Sequence, residues 1–188
     1  MATRTERRQL DAYFTPTWAT QELLKRVRIT GAVLEPCVGD GAIAGVLGCY
    51  VPHVHTNDLD GNRLAGSHED ATDARWWASL PPVDWVVSNP PFGVAPKILP
   101  LALPRVRVGM AMLLRLSYLE PCEGRAGWLA ENPPAQLIVL PRISFTGDGK
   151  TDSVTCAWMV WTTVVEGGAI QVVPDPADLP GALLDGAA

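Results

Sequence analysis

Asn89-Pro90-Pro91-Phe92 follows the apolar run Trp85-Val86-Val87 and offers a set of groups suited to a planar amine. The lone pair of an aryl amine is delocalised into its ring, so the nitrogen is a poor nucleophile. The Asn89 side-chain oxygen and the Pro90 carbonyl can each accept one of its N–H bonds. That draws the nitrogen toward a tetrahedral shape and localises the lone pair. Such help is preorganised and is realised most fully in the transition state. Pro90 and Pro91 stiffen the turn and fix the carbonyl direction. Phe92 offers a flat apolar face on which a base can stack, worth about 1–3 kcal/mol. The plain structural alternative is a Pro-Pro turn after a core strand, with Phe92 in the core.

A second element lies 54 residues upstream, Glu35-Pro36-Cys37-Val38-Gly39-Asp40-Gly41. Glycines let a backbone approach a ligand closely, and the start of the helix that follows supplies free N–H groups. No Gly-Lys-Ser/Thr closes the turn, so it is not a P-loop, and its G-x-G-x-x-G pattern is incomplete. Glu35 and Asp40 would repel a diphosphate. They suit a ligand with a cationic ammonium and a sulfonium, which selects S-adenosyl-L-methionine over NAD as cofactor. Asp58, 23 residues beyond Glu35, is placed to accept hydrogen bonds from ribose hydroxyls. Asp73 is the next candidate, for the cofactor's adenine amino group, with Asp70 as its alternative. Asp60, beside Gly61, reads as a turn acid. A sulfonium methyl is already activated, so no general base is needed before attack and the main requirement is alignment in line. Together the two elements point to methyl transfer onto an amine, foremost the exocyclic N6 of adenine.

The elements that must position these residues can be read from apolar periodicity and breakers. A helix is expected over Pro16 to Val27, with Thr15 as its cap and Gly31 beyond its end. Strands are expected at Ala32 to Leu34, Val54 to Asp58, Asp84 to Val87, Arg107 to Leu116, Ala135 to Leu140 and Val154 to Thr163, with a further short element near Asp70 to Asp73. Helices are expected at Ala42 to Leu47, Val94 to Leu103 and Glu123 to Ala130. This alternation predicts a three-layer α/β fold, Rossmann-like, with a mostly parallel seven-stranded sheet. Only a loop joins the last two strands, so the last is expected to run antiparallel, as a hairpin at the sheet's edge.

The chain has 188 residues, 47% hydrophobic and 19% charged, enough for one domain with its own core. Residues 1–165 are read as the catalytic domain, with 1–12 a basic arm, and 166–188 as an acidic, loosely held tail. The basic start has no apolar stretch behind it and the longest apolar run is too short to span a bilayer, so a cytoplasmic protein without membrane contact is expected. Cys37, Cys49, Cys122 and Cys156 form no C-x-x-C pair, and His53, His55 and His68 lack the spacing of a helical zinc site, so no metal is expected. The net charge of −5 is unusual for an enzyme acting on nucleic acid. Four acids of the tail (Glu166, Asp175, Asp178, Asp185) account for most of it. The first thirty residues carry six bases against three acids.

The motifs resemble those of class I S-adenosylmethionine-dependent N6-adenine methyltransferases. In that family an Asn/Asp-Pro-Pro-Tyr/Phe element carries catalysis and an acidic glycine-rich loop binds the donor. The donor elements precede Asn89, as in the gamma-type order. Tyr13-Phe14-Thr15-Pro16 looks like the family's N-terminal motif, which implies that Phe14 and Thr15 contact the donor. The stretch Pro141-Arg142-Ile143-Ser144-Phe145 to Trp161 looks like the late motif of phage-type DNA adenine methyltransferases, which implies that Phe145 stacks on the flipped base. Arg142, Lys150, Arg4, Arg7 and Arg8 are candidate phosphate contacts. The resemblance covers about residues 11–163. It implies a DNA substrate, with RNA adenine or a protein glutamine amide as alternatives and a partner-binding module as the alternative of another class. No counterpart is expected to the large target-recognition domain usual in gamma-type enzymes, so the expectation is that specificity is low, or rests on short loops such as Gly147 to Ser153, or is supplied by a partner.

Overall fold

Glycines, prolines and apolar runs set the alternation of elements. The computed structural model describes residues 15–143, 154–163 and 169–174. In chain order these form α1 (Thr17–Leu24), β1 (Ala32–Glu35), α2 (Ala42–Leu47), β2 (His53–Thr56), α3 (Ala74–Ser79), β3 (Val83–Ser88) and α4 (Ala95–Ala102). Then follow β4 (Val106–Arg115), α5 (Ala126–Glu131), β5 (Gln136–Val139), β6 (Cys156–Thr162) and β7 (Ile170–Val172), with single 3-10 turns on either side of β4.

The strands make one sheet in the order β2-β1-β3-β4-β6-β5-β7. β1 pairs parallel with β2 and β3, and β3 with β4. β6 runs antiparallel to both its neighbours, and β7 is parallel to β5. The α/β class, the three layers and the mostly parallel sheet agree with the sequence reading, as does the antiparallel direction of Cys156–Thr162. Its place does not: β6 is inserted between β4 and β5 rather than lying at an edge. β6 is apolar along its length, with Cys156 to Trp161 buried, and only an interior position covers both faces of such a strand.

Two further expectations change. Residues 70–73 form turns rather than a strand, because Asp70 folds back on Thr72 and Asp73 caps α3. The seventh strand instead comes from Ile170–Val172, within the stretch read as loose tail. Val173 just beyond it is buried and donates its N–H to the Val139 carbonyl.

β4 shows how the sheet divides its layers. Met110, Met112 and Leu114 face α3 and α4, packing with Trp76, Trp77, Ile98 and Leu99. Ala111 and Leu113 face the other side, with Ala19 and Leu23 of α1, Ile43 and Leu47 of α2, and Trp158. This is the two-residue period of a strand covered on both faces. α1 is further fixed by the Trp158 indole N–H, which donates to the Ala19 carbonyl at 2.8 Å.

Glycine is required for lack of room at two positions, one just before β1 and one within β4. At Gly31, with φ at +77°, a Cβ would lie 2.1 Å from the Asp84 carboxylate, which accepts the Ala32 N–H at 2.8 Å and so pins β1 to β3. At Gly109 a Cβ would lie 2.6 Å from the Trp85 ring and 2.8 Å from the Trp161 carbonyl. Gly109→Ala is therefore expected to cost about 1–3 kcal/mol by overpacking, read as a lower urea midpoint without loss of the native circular dichroism spectrum.

Candidate active site

Parallel pairing puts the carboxyl ends of β1 to β4 along one edge of the sheet, where open α/β sheets bind ligands. Glu35 ends β1 and pairs with Thr56 of β2. Asn57 and Asp58 follow Thr56, Ser88 and Asn89 close β3, and Arg115 ends β4. Both chemistry-bearing elements of the sequence thus reach the same edge. β5 points the same way, so Arg142 lies at this edge too, exposed. Phe14, Phe145, Lys150, Arg4, Arg7, Arg8 and the loop 147–153 lie outside the described residues.

The loop after β1 is shaped by its glycines. Gly39 and Gly41 have φ of +57° and +84°, and a Cβ at either would meet nothing within 4 Å. Backbone conformation, not crowding, calls for glycine there. Gly39 donates its N–H to Asp58 Oδ2 at 2.8 Å, and Val38 donates to the Asn57 carbonyl at 2.9 Å. Asp58 Oδ1 accepts the Asp60 N–H at 2.9 Å. Each carboxylate oxygen of Asp58 keeps a further lone pair for a ligand. Asp40 accepts the Ala42 N–H at 3.1 Å and opens α2. Cys37, half-buried in the loop, has its thiol pushed up by burial and by Asp58 and Glu35.

Glu35 is 1% exposed. Its Oε2 has no hydrogen-bond partner. Burial holds its carboxyl well above the usual 4.5, an effect that the Ala44 N–H opposes and the charges of Asp40 and Asp58 reinforce. None of Glu35, Asp40 and Asp58 makes an ion pair among the described residues.

Asn89 donates from Nδ2 to Thr15 Oγ1 at 2.9 Å. Thr15 is therefore not the cap of α1, whose N-cap position is Pro16 with no side-chain cap bond. The Pro91 carbonyl accepts the N–H groups of Val94 and Ala95 and opens α4, whereas the Pro90 carbonyl accepts no bond among the described residues. Phe92 packs at the margin of both core layers, and one face of its ring carries the Arg115 guanidinium at 4.6 Å.

No protein-family model matches the chain and no curated protein resembles it. Solved structures do. A Listeria monocytogenes protein described as a class I S-adenosylmethionine-dependent methyltransferase superposes with a TM-score of 0.58 over 86% of this chain and 64% of its own, at 11% identity. The methyltransferase subunit of a type I restriction-modification system from Streptococcus thermophilus gives 0.61 over 80% and 45%, at 17% identity. The 23S rRNA methyltransferase ErmE gives 0.55 over 82% and 70%, at 15% identity. The fold is that of the class I methyltransferases. The chain spans less than two thirds of the length of the first two proteins.

Within this methyltransferase fold, two residues that the sequence reading passed over hold the site together. Asn57 is fully buried. It donates from Nδ2 to the carbonyls of Pro36 and Glu69, at 3.1 and 2.9 Å. Its Oδ1 accepts from Ser67 Oγ and the Glu69 N–H, at 2.8 and 2.9 Å. Arg115 backs Phe92. A polar side chain directly before Asp58, and a lone charge ending the apolar run of β4, were the available signals for them. Asp73 plays a structural part, since it caps α3 at the Arg75 N–H and pairs with the Arg75 side chain at 2.8 Å.

Among the described residues no group of His, Cys, Asp and Glu is arranged to hold a metal ion, and no helix is long and apolar enough to cross a membrane. A cavity of about 260 Å³ lies at the opposite edge, between Arg26, Arg28, Trp85, Val108 and Gln136, away from both motifs.

The buried acid makes stability depend on pH. Unfolded, Glu35 titrates near 4.5; folded, it titrates higher. The stability gained from keeping it neutral is fully present below 4.5 and is lost as pH rises through the folded value. Glu35→Gln is neutral throughout. It should therefore gain stability relative to the native protein as pH rises from 4.5 toward neutrality, and match it below. Urea denaturation of both across that range measures the difference, and a flat difference would refute the assignment.

Proposed function

We propose that the chain is an S-adenosyl-L-methionine-dependent methyltransferase that modifies the exocyclic N6 of adenine in DNA by in-line displacement. One observation carries this reading. Unpaired acids over a glycine-rich loop, and Asn89-Pro90-Pro91-Phe92, stand at the carboxyl ends of adjacent parallel strands.

The residues present fit the donor. The unpartnered Glu35 Oε2 and the space above Gly39 and Gly41 suit a cationic ligand pressed against backbone. Glu35, Gly39 and Asp40 would hold its amino-acid part and Asp58 its ribose hydroxyls. S-adenosyl-L-methionine supplies a methyl group on a sulfonium, already activated for transfer. Asn89 Oδ1 and the Pro90 carbonyl accept the two amine N–H bonds and localise the nitrogen lone pair. Held by Glu35, Gly39, Asp40 and Asp58, the donor would present this methyl in line to the localised lone pair and would leave as the neutral thioether, keeping the C–S electron pair. The amine's extra proton then passes to water. Phe92, held by Arg115, is the apolar wall for the base, which must leave its duplex at a cost of a few kcal/mol.

Acids gather at the ends of β1 and β2, where a cationic donor would meet the opposite sign. Arg115, Arg125 and Arg142 follow β4 and β5, interspersed with Glu120 and Glu123. The gamma-type motif order and the likeness of the late motif to phage-type enzymes favour DNA. The fold's likeness to an rRNA enzyme makes RNA the reading to test beside it.

The purified protein, labelled S-adenosyl-L-methionine and unmethylated genomic DNA should yield N6-methyldeoxyadenosine on nucleoside mass spectrometry. Asn89→Ala should lower the rate by about 100- to 1000-fold while calorimetry shows donor binding retained. Product from RNA and none from DNA would transfer the reading to RNA. Native-like turnover by Asn89→Ala would sink the mechanism.

A further inference from the structure

We propose that the donor's ammonium group expels a proton from Glu35, so that the free protein holds a neutral acid at this position and the donor-bound protein a carboxylate. The inference rests on the donor reading given above and deepens it, since it assigns Glu35 a change of charge at each binding event.

The surroundings of Glu35 decide its state without a ligand. It ends β1 and is almost fully buried. The Ala44 N–H reaches its carboxyl, while Oε2 has no hydrogen-bond partner. The charges that act on it are those of Asp40, in the loop after β1, and Asp58, after β2, and both are acids. α2 brings no titratable side chain, and neither does the end of β3 at Val87 and Ser88. Burial holds the Cys37 thiol protonated, so it adds no charge. No ion pair among the described residues includes Glu35. Burial and two like charges thus favour the neutral acid.

A bound ammonium reverses that balance. A cation favours a carboxylate from about 4–6 Å away, so it need not touch the shielded Oε2. Asp40 and Asp58 change their part. In the free protein they oppose a charge on Glu35, and in the complex they attract the ligand's cation. The Glu35 O–H bond breaks, its electron pair stays on oxygen, the proton leaves for water and the ammonium keeps its hydrogens. Binding is therefore linked to pH. Between the pH at which the bound protein titrates and the higher one at which the free protein does, donor affinity rises about tenfold per unit, and above that it levels off. S-adenosyl-L-homocysteine carries the same amino-acid part without the sulfonium, so it expels the same proton. Methylthioadenosine has neither group and expels none.

Calorimetry of the whole protein counts the protons when binding is measured in phosphate and in Bis-Tris, buffers of unequal ionisation enthalpy. At about pH 6 the ligand's α-amino group is already protonated and contributes nothing. S-adenosyl-L-homocysteine should release about one proton from the native protein and none from Glu35→Gln. A second readout needs no variant: infrared difference spectra of the native protein should lose the carbonyl band of a protonated carboxyl on binding. Binding without proton release and with that band unchanged would overturn the proposal. So would release by S-adenosyl-L-methionine but not by S-adenosyl-L-homocysteine, which would place the effect at the sulfonium. Full release by Glu35→Gln would assign the proton to another group and overturn it too. Absence of any binding is a distinct result, which removes the donor reading and this inference with it.

Discussion

A single buried amide ties the loop after β1 to the chain that follows β2. Asn57 has its two donor hydrogens and its acceptor oxygen all engaged, in four bonds to three residues of two separate stretches of chain. Pro36 lies in the glycine-rich loop, Ser67 beyond the turn after β2, and Glu69 on the approach to α3. None of these stretches is a strand or a helix, so none is held by a regular ladder. A buried polar network is costly when partly satisfied and rigid when complete. Here it is complete, and it lets neighbouring Asp58 reach the Gly39 N–H and closes the loop over Glu35.

That closure has an energetic cost at Glu35. A carboxyl group with one oxygen unpartnered and no cation beside it destabilises the fold whenever it is ionised. Proteins keep such arrangements where a ligand recovers the loss, and the locally unfavourable residue is then a mark of function rather than a flaw. At the same edge Arg115 stands two strands away, across β3 and the Asn89 that follows it.

Much of this was legible in the residues. Glu35 to Gly41 and Asn89 to Phe92 announced themselves because a few residue types at fixed spacing leave little room for other chemistry. α2 was read to its end residues because Gly41 and Gly48 bracket it. The strand order was not legible. The antiparallel hairpin could be inferred from the short connection between β5 and β6, but which of them lies inside depends on the apolar content of both faces. Ile170–Val172 was missed because three residues amid acids, glycines and prolines carry no periodicity, and their pairing is supplied by β5. The capping part of Asp73 was hidden because an acid that caps a helix and one that holds a ligand look alike until the helix is seen. Asn57 and Thr15 act through partners 10 to 74 residues away, and no local pattern encodes those.

The indole of Trp158 reaches back 139 residues to the Ala19 carbonyl. Seen from the ribosome, a nascent chain that has emerged past Phe92 already contains both motifs, and α1 can lean on α2 and β1. It lacks the Trp158 clamp until β6 has left the exit tunnel and inserted between β4 and β5. Until then the helix that follows Thr15 is without that anchor.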